Sequence, residues 1–428
     1  VSTMNVKTSS EGEEEASGMR NETLRESGHL GEAKRRQVIR VAYVVAALDL
    51  TCLFMQLGLM PVSMGLDSVG FGYLQTVFGV LQLVGGYIFG RFADQFGARA
   101  ALILSCASGI VFFLIMSLST SIPLLFLSRL PAFFMHGMPG AQKIITDVTT
   151  PSQRAGALGK LGLCFGVSII AGSALGGVLS TKFGIYVPVY VGLVGSIINT
   201  LIAMVWIPSQ TKPKSDHNMT EHSTSQSGSL FSINEILRLM KFPGVMEVFI
   251  VKVFAGLPIG LFMIMFSIIS MDFFGLEAVE SGYLMSYFGV LQMVVQGLVV
   301  GKLASHCTEM TLLRLSVFIF TGVGLGMALM RTVWHYCIIA VPLVFAFSML
   351  VTITDSILTK AVPSSDTGAM LGICASVQPL IRTVGPTIGG VLYKQFGVSS
   401  FGYLQLIVNL GLFVYLLKSK IPLEEMKS

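Results

Sequence analysis

Apolar positions along this chain fall in runs of about 20 residues, the length a helix needs to cross a hydrocarbon layer. Twelve such runs are read. The first six cover 37–61, 70–92, 100–118, 122–146, 158–181 and 186–208. The second six cover 244–270, 281–303, 312–330, 333–356, 368–393 and 399–417. They do not alternate with period two and lack barrel turns. Lipid offers backbone groups no water, so the runs must be helices. The expected fold class is an all-α membrane protein of twelve transmembrane helices. Polar stretches divide it. Residues 1–36, with the acidic cluster Glu11, Glu13, Glu14 and Glu15, read as a disordered tail without a cleavable signal peptide. A first six-helix bundle spans 37–208, a linker 209–243, a second bundle 244–418 and a short tail 419–428. Within the linker, 209–232 is rich in Ser, Thr, Lys and His, and 233–242 (INEILRLMKF) reads as a short interfacial helix.

Composition narrows the function. Apolar residues make up 53% and charged residues 12%, against about 25% charged in a soluble domain. A net charge of +5 excludes nucleic acid as an expected partner. Of six cysteines, Cys52, Cys106, Cys164 and Cys374 sit inside apolar runs, which argues against a disulfide framework or a CxxC metal site. No nucleotide-binding Gly loop, HExxH pair or nucleophile elbow is read. The chain is therefore expected to be no enzyme, to need no metal or cofactor, and to draw energy from a gradient. Lys and Arg set the orientation. Arg35, Arg36, Arg91, Arg99, Arg154, Lys160, Arg238, Lys241, Lys302, Arg314, Lys360 and Lys418 fall on one side, while only Lys182, Arg331 and Lys394 fall on the other. Both termini and the linker are thus expected in the cytoplasm, where the sequons at Asn21 and Asn218 would stay unglycosylated.

The halves repeat at an offset of about 210 residues. Gly72-Tyr73-Leu74 returns as Gly282-Tyr283-Leu284, and Phe78-Gly79-Val80-Leu81-Gln82 as Phe288-Gly289-Val290-Leu291-Gln292. Ile145-Thr146-Asp147 returns as Ile353-Thr354-Asp355, and Gly176-Gly177-Val178-Leu179 as Gly389-Gly390-Val391-Leu392. Two similar bundles can rock about a pseudo-two-fold axis and expose a midplane site to each side in turn. The duplication is the main reason to expect a transporter.

The stretch Gly90-Arg91-Phe92-Ala93-Asp94-Gln95-Phe96-Gly97-Ala98-Arg99 resembles the loop motif GxxxDRxGRR of the major facilitator superfamily. The resemblance implies a conformational latch of Gly90, Asp94, Gly97 and Arg99: Gly90 for close helix approach, Gly97 for the turn, and Asp94 for bonding a helix N-terminus or a basic partner across the halves. Gln95 departs from the usual Arg, and the second copy, Gly301-Lys302-Leu303-Ala304-Ser305, lacks the acid. Gly172, Gly176 and Gly177, then Gly385, Pro386, Gly389 and Gly390, resemble the glycine-rich helix-bending motif of the drug/proton antiporter branch. Asp147-Val148-Thr149 with Arg154 resembles a loop of the tetracycline/proton antiporters, implying a structural or gating role. Segments such as LFMIMFSIISMDFF (261–274) and GICASVQPLIRTVGPTIGGVLY (372–393) are similar to organic cation transporter-like members of solute carrier family 22. That resemblance implies polyspecific, proton-coupled carriage of organic cations, at an epithelial apical plasma membrane or at an intracellular one.

Ionisable residues inside apolar runs usually face a cavity, because each costs about 2.5–3.5 kcal/mol at the bilayer centre on insertion scales. Asp49 lies at mid-depth of the first run, with Cys52 and Gln56 on its face at helical spacing. A lone carboxylate there can trade a proton for a cation. Arg129, His136 and Lys143 are spaced seven apart in the fourth run, which predicts one shared face, with Arg129 as a partner for Asp49 and Lys143 snorkelling. His136 has an ordinary titration range of about pH 5–8. Gln378 and Arg382 lie one turn apart in the eleventh run; Arg382 suits an anionic group or an acid partner. Asp355 is expected at the cytoplasmic end in a gating pair. The leading expectation is a secondary transporter exchanging protons for lipophilic organic cations by alternating access, with Asp49, Gln56, Arg129, His136, Gln378 and Arg382 as its substrate and proton site. Two alternatives stay open: a facilitative carrier of an anion or zwitterion centred on Arg129 and Arg382, and a transport-silent scaffold that binds cytoplasmic proteins through tail and linker.

Overall fold

A computed structural model of the chain describes residues 31–56, 65, 68–211, 233–276 and 278–419. The acidic cluster, both sequons and most of the linker and of the last tail lie outside the described residues. Helices dominate the rest. The first half contains α1 (Glu32–Phe54), α2 (Ser68–Phe96), α3 (Ala98–Ser117), α4 (Ile122–Leu127), α5 (Gly137–Val148), α6 (Pro151–Phe183) and α7 (Val187–Trp206). The linker ends in α8 (Ile233–Met240). The second half contains α9 (Val245–Ile264), α10 (Phe266–Asp272), α11 (Ala278–Val294), a π-helical stretch at Val295–Val300, and α12 (Gly301–His306). It continues through α13 (Glu309–Leu329), α14 (Val333–Ala361), α15 (Thr367–Ala375), α16 (Val377–Phe396) and α17 (Ser399–Lys418). Among the described residues, ten helical stretches are long and apolar enough to cross a membrane.

The other two apolar runs, the fourth and the eleventh, are broken, and proline explains both breaks. A proline has no N–H for the carbonyl four residues back. Pro131 and Pro139 fall in the fourth run, which becomes α4, a 3-10 turn at Leu130–Phe134, and α5. Pro139 leaves the Met135 carbonyl free, and Gln82 Nε2 of α2 donates to it at 3.3 Å. The Phe133 carbonyl likewise meets the His136 ring at 3.0 Å. In the eleventh run Pro379 frees the carbonyl of Ala375, where α15 ends and α16 begins after Ser376. Irregular backbone at membrane depth persists only where protein or a lined cavity satisfies it, and α2 supplies that cover in the first case.

Each half has its own core. In the first, α1 packs on α5, α6 and α7, and α3 on α7; in the second, α9 packs on α16 and α17, and α13 on α17. The duplication is visible in the packing. A Cβ at Gly176 of α6 would collide with the Met55 carbonyl at the end of α1, and one at Gly389 of α16 would stand 2.7 Å from Met265 Cγ, at the end of α9. Met55 and Met265 are themselves repeat partners. Gly172 likewise faces Phe54 and Thr51, each at 2.8 Å from a built Cβ, and Gly385 faces Ile264. Gly177 and Gly390 open on free space instead. Pro386 lies inside α16.

The halves meet along two symmetry-related seams, α2 on α15 and α16, and α6 on α11 and the π-helical stretch. Glycine lets the helices approach. A Cβ at Gly90 would collide with the Gly368 carbonyl, and one at Gly166 would lie 2.9 Å from Met293 Cγ. Inside the second half, Gly402 of α17 leaves no room either, since its Cβ would meet the backbone nitrogen of Ala328. Gly402→Val should therefore cost about 1–3 kcal/mol, as overpacking does. Thermal unfolding in detergent should show a lower midpoint than the parent.

Candidate functional site

The predicted residues separate into two places. The first lies around the break between α4 and α5. Asp49 is half-buried on α1, and its carboxylate presses against Gly137, where an added Cβ would collide with Oδ2. Gly137 opens α5, so Asp49 stands at the positive end of a half-helix dipole. Among the described residues it has no ion-pair partner. Arg129 is not its partner. Buried between α4 and the 3-10 turn, Arg129 stacks over Phe112 with 5.0 Å to the ring centre and points Nη1 at Met116 Sδ, 4.0 Å away. His136 is buried against Phe89, ring centres 5.3 Å apart. The shared face expected of Arg129, His136 and Lys143 does not form, because the run is broken between them.

Arg382 of α16 reaches back to the first half. Its Nη1 donates to Gln82 Oε1 at 3.4 Å, and the guanidinium lies over Phe78 at 5.5 Å from the ring centre. Gln82 therefore links Arg382 to the Met135 carbonyl of the broken fourth run. Gln378 is exposed one turn away. Gln56 is buried elsewhere, donating to the Pro188 carbonyl at 3.0 Å, and ties α1 to α7.

The second place is the end of the bundle that carries the Lys/Arg excess, here called the basic end. Asp94 of α2 caps α15 across the seam. Its Oδ1 accepts from the Gly368 amide and its Oδ2 from the Ala369 amide, both at 2.8 Å. These are unpaired donors of a helix first turn, where an anion is also favoured by the dipole. Lys143 does not snorkel. It is 1% exposed, 3.3 Å from Asp94 and 3.1 Å from Asp147, and donates to Thr367 Oγ1 at 2.6 Å. Arg91 joins Asp366 at 3.0 Å and Glu235 at 2.9 Å.

Four more of the expected residues have definite surroundings. Gly97 adopts φ +95° at the start of α3, as a tight turn requires. Arg99, expected in the latch, donates instead to the Met204 carbonyl at 2.8 Å, closing the end of α7 within the first half. Asp355, expected in a gate, is buried inside the second half and paired with Lys252 at 2.8 Å. Arg154 is also buried and donates to the Thr146 carbonyl at 3.2 Å, next to Asp147. Asp366 and Glu235 go unread in the sequence, since a polar residue at a helix end carries no mark of its partner.

A six-plus-six bundle, with its halves joined through an Asp94-capped helix, is the setting in which kinship becomes informative. The Major Facilitator Superfamily model matches residues 40–354. The chain belongs to the major facilitator superfamily. Within it, the chain is 53% identical over 392 residues to solute carrier family 22 member 18 of Mus musculus, covering 90% of this chain and 96% of that one. It is 49% identical to solute carrier family 67 member A1 of Homo sapiens, covering 93% and 96%. The class B tetracycline resistance protein of Escherichia coli is 24% identical, covering 72% and 74%. In three dimensions the chain is similar to the crystal structure of the human organic anion transporter MFSD10 (TETRAN), with a TM-score of 0.72, 17% identity and coverage of 89% and 99%. That likeness gives the superfamily fold. The chain is thus an integral multi-pass membrane transporter, related to solute carriers and drug-efflux proteins.

Proposed function

We propose that this transporter works by alternating access, exchanging protons for small lipophilic organic cations at Asp49. Two six-helix bodies, 37–208 and 244–418, rock against each other on the linker 209–243, and the Asp94 contact with α15 latches the state in which the basic end is shut. That end faces the cytoplasm, with both termini, in a plasma membrane. One observation carries the site. Asp94 and Asp147 lie against Lys143, and Asp355 lies against Lys252, whereas Asp49 meets no cation among the described residues. An embedded carboxylate without a cation of its own can take one from solution or hold a proton. Purified protein in liposomes should drive a quaternary cation such as 1-methyl-4-phenylpyridinium against an imposed pH gradient with the voltage clamped. Uptake indifferent to pH would leave facilitation without coupling.

A second reading has its own observation. Arg129 and Arg382 have no carboxylate partner among the described residues, and arginine cannot shed its charge. Both would suit an anionic or zwitterionic solute, and MFSD10, which shares the fold, is an organic anion transporter. Phenethylamine, phenylalanine and 3-phenylpropionate share one apolar body and differ in charge. On the cation reading, phenethylamine is carried and Arg382→Gln leaves that transport in place. On the second reading, 3-phenylpropionate or phenylalanine is carried and Arg382→Gln abolishes it.

A further inference from the structure

Helix α8, at the end of the linker, touches both halves. Its Glu235 Oε2 accepts from Arg91 Nη2 of α2 at 2.9 Å and from its own Arg238 Nη2 at 3.0 Å. Arg238 Nη2 also reaches Asp366 Oδ1, in the turn before α15, at 3.1 Å, and Asp366 Oδ1 accepts from Arg91 Nη1 at 3.0 Å. Two cations and two anions therefore alternate around a closed ring. One member comes from the first half, two from the linker and one from the second half. Arg91 is in turn 3.9 Å from Asp94, the cap of α15.

Burial decides which way α8 travels. Leu239 and Met240 are buried in a hydrophobic cluster built mostly by α9, α13 and α14, with Tyr87 and Ala155 its members from the first half, so α8 travels with the second half. When the basic end opens, Arg91 must leave Asp366 and Glu235 together. The bonds from Arg238 to Glu235 and Asp366 run within the moving body and survive. Glu235 thus adds a second carboxylate to the grip on Arg91, while Arg238 partly neutralises that grip.

We infer that α8 is a clasp: through Glu235 the linker helix holds the basic end shut and sets the balance between the two states of the carrier. This rests on the alternating-access reading but on no substrate or proton step, so it stands or falls apart from the chemistry at Asp49. The clasp has an asymmetry that a mere prop lacks. Glu235→Gln removes a bond that opening must break. Arg238→Gln removes one that opening leaves intact, and strengthens the pull of both acids on Arg91.

Hydrogen exchange by mass spectrometry on the full chain in nanodiscs reads this directly at the amides of Gly368 and Ala369, whose protons rest on Asp94. Glu235→Gln should speed their exchange by about 5-fold or more, the lower end of usual coupling strengths. Arg238→Gln should leave it equal or slower. Unchanged exchange in Glu235→Gln, or equal acceleration in both variants, would overturn the clasp. Leu239→Ala, which loosens α8 without touching the ring, sets the baseline for damage to the helix itself. An effect of Glu235→Gln no larger than that baseline would also overturn it.

Discussion

Asp49→Asn is expected to abolish pH-driven accumulation of an organic cation while leaving the protein folded. Asn keeps the shape and loses both the charge and the titratable proton. The carboxylate stands against the Gly137 backbone, so a nearly isosteric amide fits where a larger residue would collide. No ion pair among the described residues breaks, so folded yield and melting should match the parent. Accumulation in liposomes should fall to the level of empty vesicles, a loss of at least about 100-fold for removal of the coupling group, in the range of general acid–base contributions. Glu at the same position should not restore it fully, because its longer arm meets Gly137. Normal pH-driven accumulation in Asp49→Asn would move coupling to another residue.

Lys143→Met is expected to be the most damaging single change at the basic end. Lys143 is 1% exposed and sits between Asp94 and Asp147 at 3.3 and 3.1 Å. Removing it leaves the buried Asp147 without an ion-pair partner among the described residues and takes from Asp94 its nearer cation, Arg91 lying 3.9 Å away. Breaking a buried pair from one side costs about 3–5 kcal/mol. The loss should appear as a lower melting midpoint and poor membrane yield. Adding Asp147→Asn to Lys143→Met should recover part of it, since the carboxylate left without a cation is then gone. A double variant no better than Lys143→Met would mean that the lysine acts through Thr367 rather than through the acids.

The sequence carries the architecture because duplication and hydropathy are both local patterns. The repeat offset pairs Met55 with Met265, and each meets the matching glycine of its own half. The site is less legible, for two physical reasons. Hydropathy counts apolar side chains and is blind to missing backbone donors, so the fourth run reads as one helix although Pro131 and Pro139 break it. The seven-residue spacing of Arg129, His136 and Lys143 then loses its meaning. Charge pairing is the second reason. Asp94 finds the amides of Gly368 and Ala369, 274 and 275 positions away, and backbone amides leave no trace in composition. Lys143 reads as a snorkelling lysine because its two acids come from different turns and helices. Asp49, by contrast, is legible as a lone acid in an apolar run, and among the described residues it has no cation beside it.

Proton movement driven by cation movement is the signature of exchange. Vesicles containing the protein and a trapped pH dye, with the voltage clamped and no initial pH gradient, receive 1-methyl-4-phenylpyridinium outside. Exchange at Asp49 requires that the lumen turn alkaline as the cation enters and protons leave, and that Asp49→Asn show neither change. Cation entry with a flat lumen pH in the parent protein would contradict it.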